Sequence, residues 1–253
     1  MKMIEELDFT EFTTIVVTYL LLFLIIFVRY IAFSGSYYFL LFKVLRGRLS
    51  ERILVEDRPR PKQVKRELQL SVYSALIFAL MALGIIILWQ KGWTGIYNDP
   101  YAFPLWYIPL SVLAFLFIQD TYYYWLHRWM HSSGKIRGFH LEHHRSVETT
   151  VFTSFSFHPV ESVLQATIIP IIFLFLPMHI TAVLTVLLIM TFSSVINHAG
   201  VEVYSNSPAI RNVKKFIIGA THHDVHHKNA KKNFGLYFTF WDRLMKTEIS
   251  AIG

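Results

Sequence analysis

The sequence predicts an all-α integral membrane bundle: four to five hydrophobic helices with a cytoplasmic helical cap that carries clusters of histidine. Three observations lead to that class. Hydrophobic residues make up 54% of the 253-residue chain and charged residues only 16%, with a mean hydropathy of +0.42. The charges are segregated into a few polar segments, as a chain that crosses lipid repeatedly requires and a soluble core does not. Finally, all twelve histidines fall between residues 127 and 227, and the clustered ones lie outside the charge-free runs.

Those runs extend from Phe12 to Val28, Leu68 to Gln90, Pro100 to Gln119, Ser162 to Met178 and Ile180 to Asn197. The first three, about 17 to 23 residues each, are long enough to cross a hydrocarbon core at a rise of about 1.5 Å per residue. Arg29 then falls at the end of the first span, where its stem can reach the interface. The last two runs turn over at Pro177, Met178 and His179, a break suited to a tight hairpin. Ahead of the first span, Lys2 stands against Glu5, Glu6, Asp8 and Glu11. That start is too acidic for a cleaved signal peptide, so the span is expected to be retained. Arg46 to Arg66 is charged, contains Pro59 and Pro61, and reads as a linker lying on headgroups. Residues 1–99 are thus expected to form N-terminal membrane helices with a basic linker, and residues 100–253 a second region that carries every histidine.

Orientation follows from the basic residues. Of 24 Lys and Arg, 21 lie in 34–67, 128–145 and after 199. Five crossings put these three segments on one face, which the positive-inside rule makes cytoplasmic. The N-terminus and the loop Lys91 to Asp99 are then outside, and every histidine cluster faces the cytoplasm. The net charge of +7 does not point to nucleic acid, because the basic residues flank apolar runs instead of forming a basic domain. Anionic lipid headgroups are the expected partner. With no cysteine, disulfides, thiolate metal sites, iron–sulfur clusters and cysteine nucleophiles are excluded. Histidine must supply any soft metal ligand.

The histidines recur at metal-binding intervals. His127-Arg-Trp-Met-His131 is an HxxxH, whose two rings differ by only about 40° around a helix and can reach one ion. His140-Leu-Glu-His143-His144 is an HxxHH, in which His140 shares a face with both others while the adjacent pair diverges by about 100°. Neighbouring histidines can therefore serve different ions. His223-Asp-Val-His226-His227 repeats that spacing, preceded by His222, and His198 follows the fifth run. Nine ligands exceed the roughly six donors that a first-row ion accepts, so two ions are implied. His179 stands alone on the opposite side, and a structural role suits it, as it suits His158 at the entrance to the fourth run. Asp120 lies two helical turns before His127 on the same face, where it can accept the imidazole N–H or serve simply as a helix-end acid. Asp224, Asp242 and Glu142 are weaker choices for that role. Trp106, Tyr122, Tyr123, Tyr124, Trp125, Phe155 and Phe157 are candidates to line a lipid slot.

Imidazole suits iron, copper, nickel and zinc, so spacing alone does not choose the metal. The series HRWMH, HLEHH, SFHPVE, NHAG and HHDVHH, followed by NFGLYFTFWDR, resembles the fatty acid hydroxylase and sterol desaturase superfamily of membrane di-iron oxygenases, over roughly residues 105 to 247. The resemblance implies two iron ions, O2 as co-substrate, and a lipid that is hydroxylated or desaturated. It carries the ligand role onto His127, His131, His140, His143, His144, His198, His223, His226 and His227. Some acyl hydroxylases of the superfamily have a further histidine pair where this chain has only His198 and, four residues on, Glu202. That favours the sterol-desaturase-like branch, with an acyl-chain or sphingolipid hydroxylase as the other enzymatic reading.

Electrons need a separate donor, a cytochrome b-type protein or a ferredoxin with its reductase, because the sequence contains no glycine-rich dinucleotide fingerprint. Arg211, Lys214, Lys215, Lys228, Lys231 and Lys232 suit an acidic carrier. The competing reading is a histidine-rich membrane metal transporter or sensor without oxidase activity. Such a protein would hold its metal near the bilayer midplane on broken helices, away from where these clusters fall.

Overall fold

The computed structural model describes residues 6–55, 60–132, 134–205 and 207–249. Lys2, Glu5, Pro59 and the side chain of Arg211 lie outside the described residues. Helix α1 (Phe12–Phe39) runs on through a wider helical turn, Leu40–Val44, and a short 3-10 turn, Ser50–Arg52, leads to α2 (Pro61–Gln90). There follow α3 (Tyr107–Ser132), α4 (Gly134–His144), a 3-10 helix Val151–Phe155, α5 (Pro159–Phe175), α6 (Ile180–Asn197), α7 (Pro208–Lys214), α8 (Ala220–Lys228) and α9 (Phe240–Leu244). The only sheet among the described residues is a two-residue parallel pair, β1 (Ile96–Tyr97) with β2 (Met178–His179).

Three helical stretches are long and apolar enough to cross a membrane: Phe12–Val44, Pro61–Gln90 and Ile180–Asn197. α5 is apolar but shorter, at 17 residues. The sequence-based bounds differ from these in two places. Arg29 is a mid-helix residue, because Tyr30 to Phe39 continue α1 and bury Tyr30 and Ser34 against the 3-10 helix. The third run becomes helical only at Tyr107, after Pro100 and Pro104, and then extends unbroken past Gln119 to Ser132. A charge-free run marks what lipid tolerates, whereas hydrogen bonding and proline placement set where a helix starts and stops.

The bundle has two distinct ends. At one, the loop after α2 docks on the turn between α5 and α6: Gly95 N–H donates to Phe173 O at 2.7 Å, and Met178 N–H to Gly95 O at 3.0 Å. Only glycine fits there, since a Cβ at position 95 would lie 2.8 Å from Leu176 O. His179 caps α6 at this same end. The opposite end gathers the start of α2, the ends of α3 and α6, and α4 and α8. An apolar core of Phe115, Leu116, Ile172, Phe173, Met178, Ala182 and Val186 joins α3, α5 and α6. Small polar pairs tie the helices together, Ser74 with Ser162 at 2.9 Å and Ser71 with Tyr30 at 3.0 Å. Leu20, Leu21, Leu24 and Ile25 on α1, and Leu184 and Leu188 on α6, face outward as a lipid-facing surface requires.

Candidate metal centre

α3 contributes His127 and His131, α4 contributes His140, His143 and His144, His198 follows α6, and α8 contributes His223, His226 and His227. Their ring nitrogens gather into two groups, His127, His131, His140, His144 and His226 in one and His143, His198, His223 and His227 in the other. Within each, the donor atoms all lie within 4.8 Å of one another. Nε2 of His140 is 3.1 Å from that of His127, 3.0 Å from His131 and 3.1 Å from His144, and His226 completes the set 3.1 Å from His131. In the second group His198 is 3.3 Å from His143 and 2.9 Å from His223, which is 3.2 Å from His227.

The two HxxHH motifs are exchanged between the groups. On α4 the outer pair, His140 and His144, joins the five-histidine group and His143 the other, while on α8 His223 and His227 join the four-histidine group and His226 crosses over. An offset of four residues rotates a side chain by about 40° one way and an offset of three by about 60° the other, which separates His143 from His140 despite their nominal common face. The groups adjoin, with the His144 and His227 rings 4.7 Å apart.

The far nitrogens explain why the near ones converge. Nδ1 of His127 bonds Phe234 O at 2.9 Å, His143 bonds Ser156 O at 3.1 Å, His198 bonds Ser194 O at 2.7 Å and His226 bonds Lys232 O at 2.6 Å. A carbonyl only accepts, so each ring donates from Nδ1, and in a neutral imidazole that leaves a lone pair on Nε2. His143 and His198 therefore point two lone pairs at each other across 3.3 Å. A cation among them turns repulsion into ligation, and separations near 3 Å suit donors about 2.0–2.1 Å from a shared ion. The donor set fits two metal ions.

Burial sets the same protonation state. It pushes His226 down to about 4. Burial, then the neighbouring His226 and His131, takes His144 to about 2, and His143, His223 and His227 are likewise held well below an ordinary imidazole. The unfolded chain takes up these protons below about pH 6.5, whereas His226 in the folded chain resists to about pH 4, so the unfolded state binds more protons between and stability falls as pH falls. Metal-free protein in detergent is accordingly expected to melt at a clearly lower temperature at about pH 5 than at about pH 7.5. Equal melting temperatures would contradict this burial of neutral rings.

The supporting acids differ from the sequence-based choice. Asp120 bonds no imidazole among the described residues. Its Oδ1 accepts from the backbone N–H groups of Leu236, Tyr237 and Phe238 at 3.0, 2.7 and 3.2 Å. Seven residues of helix separate it from His127 by about 10 Å along the axis, too far for a carboxylate to span. Asp242 accepts from Phe234 N–H at 2.9 Å and Gly235 N–H at 2.8 Å, so two carboxylates hold the loop whose Phe234 carbonyl orients His127. The chain passes so closely there that a Cβ on Gly235 would lie 2.6 Å from Phe238 O.

Among the described residues Glu161 is the acid that reaches a ring of the two groups, with Oε1 2.7 Å from His140 Nδ1 and the side chain fully buried. Its signal in the sequence was an acid at the edge of an apolar run. Glu202 accepts from Thr221 N–H and Oγ1, fixing the start of α8. Asp224 pairs with Lys228 and Glu142 with Arg145, while His222 approaches Asp242 and His158 caps α5. Of the aromatic residues, Phe157 packs on His143 and Tyr123 on His127, whereas Trp106 and Trp125 are exposed. A groove of about 730 Å³ between α1 and α2, lined by Phe27, Ile31, Leu68 and Val72, includes none of them.

Fold and site together define a helical integral membrane protein with two adjoining histidine clusters, each able to hold a metal ion. Residues 112–247 match the fatty acid hydroxylase family, more than half of the sequence, and the chain belongs to that family. It is 31% identical over 187 residues to the lathosterol oxidase of Homo sapiens and 33% to that of Rattus norvegicus, covering 72% of this chain and 60% of each relative. It is 36% identical over 135 residues to the Delta(7)-sterol 5(6)-desaturase of Saccharomyces cerevisiae, covering 53% of this chain and 35% of that protein. The chain thus spans less than two thirds of the length of these relatives. No solved structure matches it.

Proposed function

We propose that this chain is a membrane di-iron oxygenase that uses O2 and external electrons to desaturate or hydroxylate a lipid, with a sterol-like ring favoured over an acyl chain. The observation that carries the reading is the convergence of nine Nε2 atoms into two adjoining groups, with facing rings already committed at Nδ1 to carbonyls. The names of the sterol oxidase and desaturase relatives support the substrate class. His127, His131, His140, His144 and His226 are assigned to one ion, and His143, His198, His223 and His227 to the other. All nine lie in residues 100–253, which are assigned here as the catalytic region. Five and four donors leave positions open on ions that accept about six.

When bound, the iron pair supplies the reduction of O2 and the removal of hydrogen from an unactivated carbon, chemistry that protein acid–base groups cannot perform. The chain's residues bind and orient. Glu161 fixes the direction of the His140 ring, Phe234, Ser156, Ser194 and Lys232 fix four more through their carbonyls, and Phe157 and Tyr123 keep water off the ring faces. Desaturation takes two hydrogens from the lipid and, with two further electrons and two protons, reduces O2 to two waters. Hydroxylation places one oxygen atom on carbon and releases the other as water with the same external supply. The electrons come from a cytochrome b-type protein, or a ferredoxin with its reductase. The distribution of 21 of 24 basic residues supports a cytoplasmic face for the pockets. A transporter is disfavoured, because the pockets are closed by fixed hydrogen bonds at helix ends.

The test is product analysis. Iron-loaded protein in lipid discs, given O2, reductase, carrier and a Δ7-sterol, should yield a product two hydrogens lighter or one oxygen heavier. Oxidation of acyl lipids alone would reverse the substrate preference, and oxidation of neither would overturn the assignment.

A further inference from the structure

We propose that Glu67, on α2 and outside the family-matched stretch, is a positioning residue for the four-histidine group. The proposal rests on the metal reading above. Glu67 is fully buried, with no ion-pair partner among the described residues. Its carboxylate accepts four hydrogen bonds from neutral groups: Ser146 Oγ at 2.7 Å, Thr150 Oγ1 at 2.7 Å, Thr153 Oγ1 at 2.9 Å and Gln63 Nε2 at 2.9 Å. Three of the donors belong to one segment, 146–153, which joins α4 to α5. Two neighbours on α2 add to the grip, Arg66 bonding Ser146 Oγ at 2.9 Å and Gln63 the carbonyl of Glu148 at 2.8 Å.

That segment holds His143 at both of its ends. Ser146 N–H donates to the His143 carbonyl at 3.2 Å. At the other end Thr153 O accepts from Ser156 N–H at 2.9 Å, and Ser156 O accepts from His143 Nδ1 at 3.1 Å. The carboxylate therefore reaches the backbone of His143 through Ser146 and its ring through Thr153 and Ser156. The segment's next neighbour is also tied in, since Ser194 Oγ donates to Ser154 O at 2.8 Å while Ser194 O orients His198. The five-histidine group has its own supports in Phe234, Lys232 and Glu161, none of which is hydrogen-bonded to Glu67 among the described residues. Four donors satisfy the buried carboxylate, and in a low-dielectric interior such a fully satisfied network fixes the segment that supplies three of them.

The test is titration of metal-free full-length protein with Co2+, read by the absorption of the bound ion, with His143→Ala and His226→Ala marking which signal belongs to which group. Wild type should bind two ions. Glu67→Leu should bind the ion of the four-histidine group about tenfold or more weakly and keep the other unchanged, as loss of an orienting partner does. Glu67→Gln should restore binding, because its oxygen keeps three bonds and Thr150 can turn its hydroxyl to accept the fourth. Thr153→Val removes the bond to Glu67 and the one that Thr153 Oγ1 accepts from Thr150 N–H, both within this segment, while it leaves Ser146 and the link to the His143 backbone in place; it should weaken the same ion selectively and covers the case in which Glu67→Leu does not fold. Unchanged affinity for both ions in Glu67→Leu, or in Thr153→Val, overturns the positioning role. Equal weakening of both ions would show a general fold defect and overturn it too. Wild type that binds no Co2+ would instead refute the metal reading itself.

Discussion

Alanine at His226 is expected to abolish turnover, by at least about 100-fold, and to reduce bound metal while the protein still inserts in the membrane. His226 is fully buried, faces His131 and His144 through Nε2 at 3.1 Å each, and is fixed by Lys232 O at 2.6 Å. Truncation leaves the five-histidine group short of a donor and leaves the remaining rings with lone pairs facing one another. His143→Ala should do the same to the other group. Because two ions that act as a unit give non-additive losses, the double variant should be little worse than either single one. His179→Ala is the control, since that ring caps α6 at the far end of the bundle and bonds Asn98 O. Metal analysis beside a turnover assay checks this: full occupancy and full activity in either cluster variant would remove that histidine from the ligand set.

Sustained turnover is expected to require an added reductant, with the purified chain, lipid and O2 alone giving none. The proposed oxidation would consume two external electrons per cycle, and the sequence contains no dinucleotide fingerprint through which they could arrive. Reductase with a small electron carrier should start catalysis. The rate at limiting carrier should fall as salt rises, because exposed Lys228 and Lys231 beside the pockets favour an acidic partner whose attraction is screened beyond about 8 Å at physiological ionic strength. Multiple turnovers without reductant would mean that the reaction class is wrong.

Much of the site could be read from the residues because metal chemistry leaves a short-range pattern. HxxxH and HxxHH offsets constrain neighbours on one helix, so eight of the nine histidines follow from spacing, while His198 comes from its place after the fifth run and from the family resemblance. The exchange of His143 and His226 between groups does not follow from spacing, since it depends on how α4 and α8 face each other. Asp120 shows the same limit. Its offset from His127 gives a shared face, but the carboxylate is used by a loop 116 residues away in sequence, at Leu236. Glu161 and Glu67 stood at the margins of apolar runs, where an acid looks like the end of a span, and only tertiary packing gives them partners. In the fold, apolar runs located the long helices well but misjudged Arg29 and the start of α3, because hydropathy reports the surroundings of a residue and not its hydrogen bonding.

Iron content of purified, folded wild-type protein at saturation tests the assignment of two ions to the nine histidines. Two ions per chain, carried with the neutral imidazole ligation that the Nδ1 contacts impose, is the expected result. A folded protein that takes up one ion or none would contradict it.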